Sequence, residues 1–142
     1  MGAKGGQERS DDPNKNIAVI FYRTEAGGEP VREWLKKKLT KAERKLVGED
    51  IKTVELGWPI GMPVCRPLGD RLYEVRTQLP TRITRVLFYV DKKERMVLLH
   101  GLFKTTEQLD NDDLKLARGN KSKHERGMKL AKGNKSKHRG MK

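Results

Sequence analysis

Four side chains in the second half of the chain have the types and spacing needed to act on a phosphodiester. Strand alternation over 83–90 places Arg85 and Tyr89 on one side, and His100 and Lys104 share one parity in the next apolar run. Cations can hold the charge that develops on an attacked phosphate, while a histidine or a tyrosine can transfer protons. These residue types therefore suit chemistry at a phosphate group.

Three β-prone runs must position these side chains: Leu72–Arg76, Ile83–Val90 and Arg95–Phe103. Short polar turns separate the runs, which predicts antiparallel neighbours. The side of the middle run opposite Arg85 and Tyr89 is wholly apolar, so it should pack against helices. We therefore expect Arg85 and Tyr89 to lie on an open face of the sheet.

The remaining elements have local signals of their own. Ile17–Tyr22 reads as a first strand, and Pro30 can occupy the first position of a helix whose apolar residues follow at helical spacing. Thr40–Glu43 has a capping-box pattern that predicts a second helix, which should end at Gly57. Asp110 can cap a last helix. The expected order is β-α-α-β-β-β-α, an α+β fold with an antiparallel sheet and its helices packed on one face.

The chain divides into three expected parts. Residues 1–16 have no apolar periodicity and are predicted to be a disordered leader, and residues 17–118 hold the single domain. Residues 119–142 form a basic tail that includes most of a tandem repeat, whose copies are 116–129 and 130–142. Because a polar, glycine-containing unit cannot build a core, we expect a frayed helix there, followed by disorder.

Charge and cysteine content limit the classes of function. The 142 residues carry a net charge of +13, which favours a polyanionic partner, and residues from Arg118 to the end contain ten basic residues against one acid. Cys65 is the one cysteine, so no internal disulfide forms, and no Cys/His spacing suits zinc. The apolar runs are strand-length and no signal-peptide core is present, so a cytoplasmic protein is expected.

Three motifs in register carry a family resemblance. They are Leu68–Arg76 (LGDRLYEVR), Thr84–Tyr89 (TRVLFY) and Leu98–Lys104 (LLHGLFK). Together, over residues 17–118, the chain resembles the RelE/ParE toxin superfamily in its phage-derived, HigB-like branch. This resemblance implies a microbial-nuclease-like fold and the toxin of a type II toxin–antitoxin pair.

The resemblance also implies the activity and its residues. The HigB-like branch favours a ribosome-dependent, metal-independent endoribonuclease that cuts messenger RNA and needs no cofactor. Arg76 matches the family motif and is expected to bind the phosphate together with Arg85, with Lys104 assisting them. His100 or Tyr89 is expected to transfer the protons. The implied partners are the ribosome, its message and a cognate antitoxin, expected to be a HigA-like helix-turn-helix protein.

Some of these residues also have ordinary structural interpretations. The two arginines can be solvated edge charges, and His100 can be a hydrogen-bonded structural histidine in an apolar strand. We expect Lys36, Lys37, Lys38 and Arg118 to contact the RNA backbone, although lysines in such a run usually form a solvated helix face.

Two other functions remain open at this point. The same scaffold could be a ParE-like poison of DNA gyrase, which would need no catalytic residues. It could also be a catalytically inactive nucleic-acid-binding protein that acts through its basic tail. Cuts in translated messages would indicate the endoribonuclease, and DNA damage would indicate the gyrase poison. Loss of all activity when the tail is deleted would indicate the inactive nucleic-acid-binding protein.

Overall fold

A computed structural model describes residues 16–61, 64–104 and 109–140. The expected leader at 1–16 lies outside these residues except for Asn16. The chain forms eight elements in the order β-α-α-β-β-β-β-α. Their bounds are β1 Ala18–Phe21, α1 Pro30–Lys38, α2 Lys41–Gly57, β2 Cys65–Gly69, β3 Leu72–Gln78, β4 Ile83–Val90, β5 Arg95–Phe103 and α3 Asn111–Gly140.

The two early helices begin where their local signals predict. Pro30 is the first residue of α1, where its missing N–H has no helical partner to lose. The Thr40 hydroxyl accepts from the Glu43 N–H at 3.1 Å, and the Glu43 carboxylate accepts from the Thr40 N–H at 2.9 Å. This reciprocal capping box starts α2, and Gly57 ends it. Both predicted helices are confirmed.

The five strands form one mixed sheet in the order β1-β5-β4-β3-β2. The strands from β2 to β5 pair antiparallel, which the short turns predicted for β3, β4 and β5. In contrast, β1 pairs parallel with β5, with Ala18 opposite Arg95. The prediction of a wholly antiparallel sheet is wrong at this edge, because β1 pairs with the last strand of the chain rather than with its neighbour in sequence.

The sequence pattern missed one strand, β2. Its residues include Pro67 and Gly69, which are poor strand formers, and Pro67 is tolerated because β2 lies at the edge of the sheet. The turn into β3 holds Asp70 and Arg71 at positive φ angles of 55° and 62°. A tight hairpin requires such angles but usually obtains them from Asn-Gly or Asp-Gly. The expected element order therefore lacked one strand.

Helices pack on both faces of the sheet. Val86 and Phe88 of β4 belong to the larger core with α1 and α2, as the alternation predicted. Leu87 and Tyr89 face the other way and pack with Ala117 of α3 in a second core. The prediction that all helices lie on one face is wrong, because the apolar surface on the second face also has to be removed from water.

Helix α3 continues through the tandem repeat and is held against the sheet along its first half. The Asn120 side chain donates to the Leu99 carbonyl at 2.9 Å, and His124 Nε2 lies 3.2 Å from Asp91 Oδ2. A frayed helix followed by disorder was expected in residues 119–142, whereas α3 continues as far as Gly140. No helix in the described ranges, α3 included, is long and apolar enough to cross a lipid bilayer.

Candidate functional site

The polar residues of the sheet gather on the face that α3 covers. Arg76 of β3 lies directly opposite Arg85 of β4, and Glu74 lies opposite Leu87 in the neighbouring row. Leu87 in turn lies opposite His100 of β5. Since side chains alternate along strands, these positions bring Glu74, Arg76, Arg85 and His100 to one surface.

Glu74, Arg76 and Arg85 form a buried charge group, here called the Glu74 cluster. Glu74 Oε2 lies 3.5 Å from Arg76 Nε and 3.5 Å from Arg85 Nε. The Glu74 and Arg85 side chains are 0% and 2% exposed, whereas the Arg76 side chain retains 28%. One carboxylate therefore faces two guanidinium groups, and the cluster reaches solvent through Arg76.

This cluster is costly for the fold. Removing charged groups from water costs several kcal/mol per ion, and close pairing recovers that cost only with good hydrogen-bond geometry. Both Glu74 oxygens and Arg76 Nη2 are buried without a hydrogen-bond partner among the described residues. A buried charge group with a high desolvation cost and long ion-pair distances is more typical of a functional site than of a stabilising core.

A histidine–carboxylate pair lies beside the Glu74 cluster. His100 Nε2 is 2.7 Å from Asp113 Oδ1, and both side chains are partly exposed. Asp113 stands in the first turn of α3, where the helix N-terminus favours an acidic residue. A carboxylate in this position orients the imidazole ring, which suits a proton-transfer role for His100.

Lys104 lies at the edge of the same surface. Its backbone N–H donates to the Ile83 carbonyl at 2.7 Å, immediately after β5 ends. Ile83 and Arg85 share one side of β4, so Lys104 continues the row of polar positions past Arg85. The structure thus places Arg76 and Arg85 directly opposite each other, with His100 and Lys104 on the same face of the neighbouring part of the sheet, one on each side of the Arg85 position.

Tyr89 is the predicted residue that lies apart. It is on the predicted side of β4, but four residues from Arg85, or about 13 Å along the strand. Its side chain is buried under α3 with Lys121 Nζ 5.5 Å from the ring centre, and burial raises the pKa of the phenol well above its ordinary value. These features give Tyr89 a packing role. The prediction that Arg85 and Tyr89 face an open surface is wrong, since both are 1% exposed.

The predicted RNA-contacting residues lie outside the cluster. Lys36, Lys37 and Lys38 are exposed in the last turn of α1. Arg82, in the turn between β3 and β4, donates to the Lys38 carbonyl at 3.1 Å, so these lysines border the same end of the sheet as Arg76. Exposed Arg118 projects from α3 towards Asp70, with 3.3 Å between Nε and Oδ2.

Two members of the site were not among the predicted catalytic residues. Glu74 shares one side of β3 with Arg76 by strand parity. That parity was the available signal for its inclusion. The sequence position of Asp113, in the first turn of α3, indicates only a favourable charge at a helix start. Its contact with His100 depends on α3 crossing the sheet, which no local pattern predicts.

Metal ligation has no support in the described part of the chain, where no group of three or more His, Cys, Asp or Glu could hold an ion. Cys65 is buried in the larger core. Burial, and then the negative charge of Glu74, raise the pKa of its thiol to about 11. The thiol therefore stays protonated and is a poor nucleophile.

Comparison with known proteins gives one family match. The family model described as phage-derived protein Gp49-like (DUF891) matches residues 33–122, which include β2 to β5 and the start of α3. The match therefore covers the Glu74 cluster, His100 and Asp113. No curated protein sequence matches the chain.

Proposed function

The chain belongs to the phage-derived Gp49-like family, and from this premise we propose that it is the toxin of a toxin–antitoxin pair that cuts messenger RNA on the ribosome. The Gp49-like family is associated with RelE-like toxins. The observation that carries the proposal is the Glu74 cluster beside the His100–Asp113 pair. It supplies cations, a carboxylate and an imidazole on one surface, the set that metal-free RNA cleavage requires.

The positions suggest a division of roles. Arg76 is the member of the Glu74 cluster with most exposure, so it is the group that a phosphate meets first. The Glu74 carboxylate leaves the guanidinium groups and pairs with the 2′-hydroxyl of the RNA. It then accepts the hydroxyl proton as the 2′-oxygen attacks phosphorus. Arg76 and Arg85 then hold the charge on the phosphate oxygens.

His100 is placed for the second proton transfer. It lies across β4 from Glu74, and both groups stand in the row next to that of Arg76 and Arg85. Protonated His100, oriented by Asp113, donates to the 5′-oxygen as its bond to phosphorus breaks. The products are a 2′,3′-cyclic phosphate and a 5′-hydroxyl, and Lys104 adds positive charge at the edge of the site.

The direct test is to induce expression and map RNA ends. We expect growth arrest and new 5′-hydroxyl ends within translated messages, and purified protein should cut message on programmed ribosomes without added metal. Arg76→Ala should remove the cuts, and Lys52→Ala on the exposed side of α2 serves as the matched control. Growth arrest with intact messages would contradict the proposal.

One observation favours a second candidate, a binding-type inhibitor such as a gyrase poison. Arg85 and Tyr89 are buried, which suits a protein that needs no reacting groups at its surface. DNA damage after induction, undiminished by His100→Ala, would support this candidate. Message cleavage that is lost in His100→Ala would exclude it.

The proposed partner is a cognate antitoxin that holds the activity in check in the cytoplasm. The partly exposed guanidinium group of Arg76 suits an acidic segment that covers the Glu74 cluster or displaces α3. A small helix-turn-helix protein encoded beside the gene should copurify with the chain and restore growth. A stable complex that leaves Arg76 accessible and α3 docked would contradict this mode of inhibition.

A further inference from the structure

We propose that the outward face of α3 binds the phosphate backbone of double-helical RNA. The face consists of Lys115, Arg118, Lys123, Arg126 and Lys129, all of them exposed. At 100° per residue these five side chains fall within an arc of about 140°, over about 21 Å of helix. They form a continuous cationic stripe, opposite the side of α3 that packs on the sheet.

The stripe has few internal counter-ions. Arg118 lies 3.3 Å from Asp70, and both groups are largely exposed. Within the described ranges, none of the other four cations forms an ion pair or hydrogen bond. Such unneutralised, closely spaced charges are complementary to a polyanion and release its counter-ions on binding.

Contacts on the opposite side of α3 hold this face in a fixed orientation. Asp113 near the start of the helix contacts His100, and His124 about sixteen ångströms further along contacts Asp91. Between them, Asn120 is hydrogen-bonded to the backbone of β5. The stripe is therefore a preorganised surface rather than a mobile tail, so binding costs little conformational entropy.

The shape and composition of the stripe favour duplex over single-stranded RNA. No Phe, Tyr or Trp occurs from Asn111 to the end of the chain, and these are the side chains that give single-stranded bases a stacking platform. A straight helix with evenly spaced cations instead fits rows of phosphates across a groove. The choice of RNA over DNA rests on the proposed function, because a ribosome presents duplex RNA at its surface.

The second copy of the tandem repeat extends the same composition. Residues 130–142 repeat the basic pattern of 116–129 with one residue deleted, and α3 continues as far as Gly140. Duplication of such a unit lengthens a helix that binds the phosphate backbone of RNA, but it adds no side chain suited to recognising a particular base. The face is therefore expected to raise affinity without selecting a sequence.

The test compares two triple variants of the full chain. Lys123→Gln, Arg126→Gln and Lys129→Gln remove cations from the stripe, and Lys41→Gln, Lys45→Gln and Lys52→Gln remove the same charge from exposed α2 positions. Binding to a 20-base-pair RNA duplex is measured from 50 to 200 mM salt. The stripe triple variant should bind the duplex about tenfold more weakly at low salt. The slope of log affinity against log salt concentration should fall in magnitude by about two to three. The α2 triple variant should change neither quantity appreciably.

Three results would overturn the proposal. The first is equal affinity and slope for the two triples. The second is weaker binding of the stripe triple to a DNA duplex or to poly-glutamate with duplex RNA binding unchanged, which would assign the face to DNA or to an acidic protein. The third is preferred binding of single-stranded RNA. Message cleavage is measured separately, so loss of the proposed nuclease activity leaves this result interpretable.

Discussion

Arg76 and Arg85 lie directly opposite each other on neighbouring strands, and a single carboxylate, that of Glu74, is 3.5 Å from the Nε of each. Two like charges at facing positions repel, so the carboxylate between them is what permits their approach. The Glu74 cluster therefore joins the stability of the sheet to the proposed chemistry.

Replacing Glu74 should test this dependence. Glu74→Ala leaves buried Arg85 and partly exposed Arg76 without the carboxylate they share, so the free energy of unfolding should fall by about 3 kcal/mol. Urea denaturation measures the change, with exposed Glu49→Ala of α2 expected to stay within about 0.5 kcal/mol. Equal stability of the two variants would show that the Glu74 carboxylate does not offset the charge repulsion between Arg76 and Arg85.

The two arginines should respond differently to mutation. Arg85→Ala removes a buried charge beside Glu74 and should cost about 3 kcal/mol of stability, so loss of activity there would be ambiguous. Arg76→Ala removes a partly exposed side chain and should leave a folded protein whose message cleavage falls about 100-fold. A folded Arg76→Ala protein that cleaves at the wild-type rate would remove Arg76 from the site.

Two glycines should show opposite responses to alanine. A Cβ on Gly101 of β5 would lie 2.5 Å from Cε3 of Trp34, so Gly101→Ala should cost about 2 kcal/mol through overpacking. A Cβ on Gly48, inside α2, meets nothing within 4 Å, so Gly48→Ala should add about 0.5–1 kcal/mol through helix propensity. Thermal unfolding compares them, and a neutral Gly101→Ala would contradict the close approach of α1 to β5.

Asp91 should contribute to the pH dependence of stability. Burial opposes its charged form, but hydrogen bonds from Arg95 and His124 outweigh burial and lower the pKa of the carboxyl below its usual value. Asp91 therefore binds a proton more readily in the unfolded chain than in the folded protein. Its contribution to the free energy of unfolding is present at neutral pH and is lost as the pH falls below about 4.

The matching variant is Asp91→Asn. It should be about 2 kcal/mol less stable than the wild type at pH 7, and the difference should shrink below pH 4. Glu25→Gln, in an exposed loop, is the control and should track the wild type. A wild-type–variant difference that stays constant from pH 7 to pH 3 would show that the Asp91 charge is not the source.

Cys65 should be unreactive in the folded protein. With the pKa of its thiol raised to about 11, about one thiol in a thousand is ionised at pH 8, and the side chain is buried. Labelling by a disulfide reagent at pH 8 should therefore be slow until urea unfolds the chain. Rapid labelling without denaturant would show that the β2 edge opens readily.

Much of the local structure was determined by short stretches of sequence. The bounds predicted for β4 and β5 are those observed, and the Thr40 capping box starts α2 as expected. Alternation also assigned Arg85 and Tyr89 to the correct side of β4. These features depend on hydrogen bonds and periodicity within a few residues, so they can be inferred without knowing the fold.

Contacts between distant parts of the chain were decided by the tertiary structure alone. The position of α3 buried the face expected to be open and paired His100 with Asp113. The edge strand β2 likewise exists through its pairing with β3 rather than through its own propensity. The sequence determined which side of each strand a residue occupies, but packing decided what covers that side, because burial depends on elements far apart in the chain.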